Sequence, residues 1–341
     1  MGHEIGWGLM LVFVGGMLNG SFAAPMKRLS AWRWENIWLI YSLVGLLVLP
    51  WIIALATVPH VGGVLQQSSG GVLAKVALFG FAWGIGGLLF GQGIARVGMA
   101  LGFAVILGIT SSFGSLVPLA ILHPDQLGTR QGLALIAGTV VMTLGLVCLA
   151  LAGKHREREQ ASAAATAAVP SGFGVGLVIC ILSGVFSSML TFAFVFGQQV
   201  QDLSHDAGAS AAMSGNVIWA LAVSCGCLPN VAYCVYLLNK NQTWGVFRKE
   251  STGPMFALGA ALMGVLWYSG LVVYGTGTAA LGTLGKIVGW PVFMTVDIIA
   301  GIGWGFLGGE WKGAGRTALG YCLTGIAILF LAIGVISFGN A

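Results

Sequence analysis

Charge is what this sequence has least of. Its 341 residues hold 15 Lys and Arg and 10 Asp and Glu, 7% of the chain, where a soluble domain carries roughly 25%. So few charged side chains cannot cover a water-facing surface, and a soluble globular fold is excluded. Period-2 alternation is also absent, and an open sheet cannot cross lipid, which leaves helices. There are five histidines; His60, His123 and His205 fall in loops and do not form a metal set. The six cysteines (Cys148, Cys180, Cys225, Cys227, Cys234 and Cys322) lie in apolar stretches without metal-ligand spacing. They read as buried thiols, not as a redox or metal site. No Ser/His/Asp or paired-carboxylate constellation occurs at membrane depth, so neither an enzyme nor a cofactor is expected. The N-terminus has no positive n-region, so the first apolar run is expected to be a retained helix rather than a signal peptide.

Apolar residues and glycine are what the chain has in quantity: 57% hydrophobic, with 55 Gly. There is no G-X-Y period, and glycine at this level suits helices that approach closely in lipid. A membrane-crossing helix needs roughly 20 apolar residues. That length predicts spans at 5–24, 36–57, 75–95, 98–121, 130–152, 172–196, 211–238, 254–275, 279–306 and 317–338. Lys154-His155-Arg156-Glu157-Arg158-Glu159 and the Ala/Ser/Thr stretch after it read as a solvated linker. The expected fold is therefore an all-α integral membrane protein of ten transmembrane helices. A first five-helix repeat covers 1–152, a cytoplasmic linker 153–171, and a second, inverted five-helix repeat 172–341.

The net charge of +5 does not point to nucleic acid, because the basic residues stand singly between apolar runs. Lys27, Arg28, Arg33, Arg96, Lys154, Arg156, Arg158, Lys240, Arg248, Lys249, Lys312 and Arg316 all lie in odd-numbered loops. Only Lys75 and Arg130 lie in even ones. This bias places the odd loops in the cytoplasm and both termini outside.

An internal repeat supports the division. Trp83, Phe90, Gly91, Gly93 and Gly98 match Trp267, Tyr274, Gly275, Gly277 and Gly282 at one offset of 184 residues. Only the first pair of spans falls out of this register. An odd number of helices per half inverts the second half, and the basic loop 27–33 faces a Lys/Arg-free counterpart at 197–210. Inverted repeats of this kind are the architecture of alternating-access transporters.

Ionisable residues inside a bilayer are costly and are functional candidates by default. Lys286 and Asp297 both fall on the ninth span. Eleven residues separate them, which is about three turns and about 16 Å on one face, so they do not touch along a straight helix. Pro291 lies between them and could kink it. Asp297 fits a proton-binding group and Lys286 a charge that tunes it or meets an anionic group. The alternative is that each snorkels or pairs with a neighbour.

A further set of stretches is distinctive: Ala24-Pro25-Met26-Lys27, Trp32-Arg33-Trp34-Glu35-Asn36-Ile37-Trp38, Leu49-Pro50-Trp51 and Phe79-Gly80-Phe81-Ala82-Trp83-Gly84-Ile85-Gly86. Gly98-Met99-Ala100-Leu101-Gly102, Leu107-Gly108-Ile109-Thr110, Leu266-Trp267-Tyr268 and Glu310-Trp311-Lys312-Gly313-Ala314-Gly315-Arg316 complete it. In these stretches the chain resembles the L-rhamnose–proton symporters of the drug/metabolite transporter superfamily. The resemblance implies proton-coupled import of a deoxyhexose such as L-rhamnose across a bacterial inner membrane. The chain departs from it at Lys286, where an acidic residue is expected, so another coupling cation stays open. Facilitated diffusion or export of another metabolite stays open too, as does a membrane sensor or scaffold without transport.

A sugar needs flat apolar faces for its C–H surfaces and amide or hydroxyl partners for its hydroxyls. Asn19, Trp83, Gln92, Trp267, Tyr268, Lys286 and Trp290 are the expected substrate-binding residues, with Asp297 coupling the proton. Thr110-Ser111-Ser112, Ser183, Ser187 and Ser188 are small hydroxyl residues that also suit helix contact. The expected partners are thus a small sugar, protons and lipid, with the chain a monomer or homodimer.

Overall fold

The computed structural model describes residues 2–97, 99–122, 124–163, 173–248, 253–309 and 311–339. Among them every regular element is helical. Nine helices are long and apolar enough to cross a membrane: Ile5–Arg28, Trp34–Thr57, Gly70–Gly93, Arg130–Arg156, Gly174–Phe196, Asn216–Lys240, Gly253–Leu281, Gly289–Leu307 and Arg316–Ile336. The fourth expected span falls on a helix whose apolar part, Val105–Ile121, is shorter. This is an integral membrane protein.

The chain divides into two compact units. One comprises Met1–Gly84 with Phe192–Trp304, the other Ile85–Thr191 with Gly305–Ala341. In the first, α1 (Gly2–Gly20) lies along α12 (Gly253–Leu281). The second span is not a uniform helix: α2 (Trp34–Ser42) passes through a π-helical stretch, Leu43–Val48, into α3 (Leu49–Thr57). Pro50 has no N–H to give, which loosens the ladder there. The wide turn is held by α11 (Asn216–Lys240). Ser224 Oγ donates to Leu46 O at 3.3 Å and Cys227 Sγ to Ser42 O at 3.5 Å. Trp51 Nε1 donates to Ser224 Oγ at 2.9 Å. Two short helices, α4 (Val61–Gln67) and α10 (Gln198–Asp206), pack on each other where the sequence suggests plain loops.

The second unit holds the C-terminal part of α5 (Gly70–Val97), with α6 (Met99–Leu122), α7 (Arg130–Ala163), α8 (Phe173–Ser187) and α14 (Arg316–Gly339). The sixth expected span breaks at Ser188 into α8 and α9 (Met189–Phe196). The charged segment expected as linker is instead helical to Ala163; residues 164–172 lie outside the described residues. Its side chains dock on the turn before α14. Glu159 Oε2 accepts the Gly315 N–H at 2.6 Å, and the Arg156 guanidinium lies 5.1 Å from the Trp311 ring.

One packing pattern occurs in both units. In the first, a Cβ at Gly270 would meet Asn19 and Gly15, one at Gly277 would meet Val12, and one at Gly8 would meet Leu281. In the second, Gly86 meets Ser187, Gly93 meets Cys180 and Gly176 meets Val97. Gly16 faces Phe293 of α13 (Thr283–Leu307) as Gly184 faces Ile109. The partners correspond at 184 residues, while α1 corresponds to α8 at 168. The shorter offset is the register that the sequence alone leaves open for the first pair.

Candidate functional site

Four of the expected site residues of the first unit, Asn19, Trp83, Trp267 and Asp297, are linked to one another around the end of α1. Asn19 is buried, and its Nδ2 donates to the main-chain carbonyl of Trp267 at 2.9 Å. Among the described residues nothing donates to its Oδ1. Trp267 stacks on Trp83 with ring centroids 5.6 Å apart and meets Tyr41 edge-on at 6.5 Å. Trp267 is buried and Trp83 half-buried, so the free aromatic surface belongs to Trp83. The two tryptophans matched by the repeat are therefore direct neighbours. Asn230 supports the same cluster: it donates to Gly84 O and Gly226 O and accepts the Trp38 indole N–H at 2.9 Å.

Asp297 follows at the next residue of α1. It is near the middle of the span Gly289–Leu307, and α13 runs through Pro291 to carry it there. Its Oδ1 lies 2.8 Å from the place a Cβ would take on Gly20, and its own carbonyl is closer still. It makes no hydrogen bond or ion pair among the described residues. Two turns further along α13, the Trp304 indole N–H donates to Ser21 Oγ at 2.7 Å; that hydroxyl donates in turn to Met17 O at 2.6 Å.

Tyr268 is 1% exposed, and its hydroxyl has no partner. It lines a cavity of about 30 Å³ with Asn216, Trp219 and Leu271. This is room for one or two waters, and too little for a sugar ring. Trp290 belongs to a different cluster, 5.6 Å from Tyr274 and 5.5 Å from Phe293. Gln92 lies in the other unit, where its Oε1 accepts from Arg96 at 2.8 Å. Lys286 is on the first turns of α13; its side chain lies outside the described residues.

Sequence reasoning passed over two features. Glu35 is a buried carboxylate at the start of α2, where it accepts from Asn241 Nδ2 at 2.9 Å and Thr243 Oγ1 at 3.0 Å. The Ser21–Trp304 link joins two spans remote in sequence. Neither leaves a local signal, because both depend on partners far along the chain.

The sequence profile of the family described as L-rhamnose-proton symport protein (RhaT) matches residues 1–341. Over 347 residues, and the full length of both chains, the chain is 25% identical to the L-rhamnose-proton symporter of Klebsiella pneumoniae subsp. pneumoniae. It is 26% identical to that of Enterobacter sp. (strain 638), again over the full length of both. For the L-rhamnose-proton symporter of Cronobacter sakazakii the identity is 26%, covering 100% of this chain and 99% of the other. No solved structure matches the chain.

Proposed function

The chain belongs to the L-rhamnose-proton symport protein family, and from that membership we propose that it imports L-rhamnose, or a related deoxyhexose, together with protons. The observation that carries the reading is Asp297. Of the ten acidic residues, only Glu35 and Asp297 fall within the candidate spans, and only Asp297 is near a span's middle. Glu35 already has two hydrogen-bond donors, whereas Asp297 has none among the described residues. A lone carboxylate there fits a group that takes up and releases a proton. The Oδ1 of Asn19, one residue before Gly20, and the aromatic surface of Trp83, joined to Asn19 through Trp267, offer what a sugar needs. Lys286 and Trp290 remain candidates for the substrate path, and Gln92 is a separate candidate on α5.

The drug/metabolite transporter fold is part of this proposal: ten spans in two inverted repeats, 1–152 and 172–341, working by alternating access. The packing repeated in both units supports it, since α1 on α12 and α13 reproduces α8 on α5 and α6 pair by pair. The loop charges support an inner-membrane protein with both termini in the periplasm. A reporter fused at either end is expected to read outside; a cytoplasmic signal from either would overturn that orientation.

A thermal-shift screen of monosaccharides on the purified protein tests the cargo. L-rhamnose or another deoxyhexose is expected to raise the unfolding midpoint; stabilisation by none of them removes the sugar assignment. Uptake that follows the sugar gradient and ignores pH would favour a facilitator.

A further inference from the structure

The place where the repeated packing departs from itself lies at Asp297. The counterpart of Asp297 in the other unit, 184 residues earlier, is Phe113. The counterpart of Gly20, 168 residues later, is Ser188, whose Cβ is 3.5 Å from where a Gly114 Cβ would stand. Along the two sequences, a phenylalanine and a serine at these positions of one unit become a carboxylate and a glycine in the other. Both positions change, and the Gly20–Asp297 contact is the result, while the flanking pairs (Gly16 with Phe293, Gly184 with Ile109) keep their character.

Gly20 ends α1, and the last carbonyls of a helix lack intrahelical partners. Three of the four are taken: Met17 O by the Ser21 hydroxyl, Leu18 O by the Ser21 N–H at 3.2 Å, and Asn19 O by the Phe22 N–H at 3.0 Å. Among the described residues nothing donates to Gly20 O. It points at α13, 4.0 Å from where a Cβ of Gly301 would stand, and Gly301 is one turn beyond Asp297. Without a side chain at Gly20, the Asp297 carboxyl reaches the end of α1. Lys286 is eleven residues along α13, Lys27 and Arg28 follow the α1 end, and α12 contributes only the Tyr268 and Tyr274 hydroxyls.

We propose that Gly20 is the positioning residue for the coupling proton, its carbonyl accepting a hydrogen bond from Asp297 when that carboxyl is protonated. The proposal rests on the reading of Asp297 as the proton carrier. A protonated carboxyl has one O–H to donate, and Gly20 O is the open acceptor beside it. An ionised carboxylate has no donor, and it faces the negative end of the α1 dipole. Loading the proton therefore ties α1 to α13, and losing it releases α1 at that end. The transported proton becomes a contact between two helices.

Gly20→Ala tests this in proteoliposomes, alone and combined with Asp297→Asn. The added Cβ pushes the carboxyl off the carbonyl. In Gly20→Ala the pH midpoint of uptake is expected to move by about one unit toward acid, the worth of one hydrogen bond, with sugar exchange retained. In the Asp297→Asn background Gly20→Ala should change nothing further. An unmoved midpoint, or an equal loss of exchange in both backgrounds, overturns the proposal and leaves Asp297 standing. If Asp297→Asn alone keeps pH-driven accumulation, the proton-carrier reading itself fails. Should Gly20→Ala not fold, infrared spectra of the unmodified protein decide. The carboxyl band that Asp297→Asn removes should be that of a hydrogen-bonded acid, and a free-acid band is the contrary result.

Discussion

Asp297→Asn is expected to abolish accumulation driven by a pH gradient while leaving sugar exchange across the membrane intact. One pH unit is worth 1.36 kcal/mol for one proton, so coupled uptake reaches about a tenfold concentration ratio per unit of gradient. An asparagine cannot exchange a proton, so the ratio falls to one. Exchange persists because the amide keeps the shape of the side chain against Gly20 and needs no net proton movement. Counterflow and gradient-driven uptake, measured on the same vesicles, separate the two. Full pH-driven accumulation by Asp297→Asn would remove the residue from the mechanism.

Trp267→Ala is expected to have the largest structural effect. Its ring supports Trp83 at 5.6 Å and Tyr41 at 6.5 Å, and its backbone carbonyl holds Asn19. Truncating a buried aromatic of this size costs about 3–5 kcal/mol. Trp83 then loses the neighbour that fixes its plane, so sugar affinity should fall with stability. Trp267→Phe keeps part of the ring contact and should recover most of the unfolding midpoint. If Trp267→Ala binds sugar as well as the parent protein, the stacked pair plays no part in recognition.

The sequence and the structure agree where a single helix carries the signal. The apolar runs mark all nine spans, most to within a few residues and the one at Gly289–Leu307 with a start ten residues too early, and Asp297 stands out because nothing around it in the sequence is charged. The 184-residue repeat marked Trp83 and Trp267 as equivalent positions, but their stacking on each other was not legible in it. What escaped depends on partners distant in sequence. Gln92 looks like a companion for Asn19, yet Arg96, four residues on along its own helix, takes its oxygen. The linker composition at Lys154–Glu159 gave no hint that Glu159 and Arg156 would find Gly315 and Trp311. The register of α1 against α8 was hidden because sequence matching weighs identities. Space at glycine contacts recovers it: Gly16 and Gly184 occupy the same place against different neighbours.

The π-helical stretch in the second span sets a phase. Trp38 and Trp51 are thirteen residues apart, which on an unbroken α-helix would aim them about 140° away from each other. Both nonetheless reach one helix, Trp38 at Asn230 and Trp51 at Ser224. The wide turn at Leu43–Val48 lies between them and takes back part of that angle. It works as a rotation built into the rod, and the two indoles lock α11 above and below it.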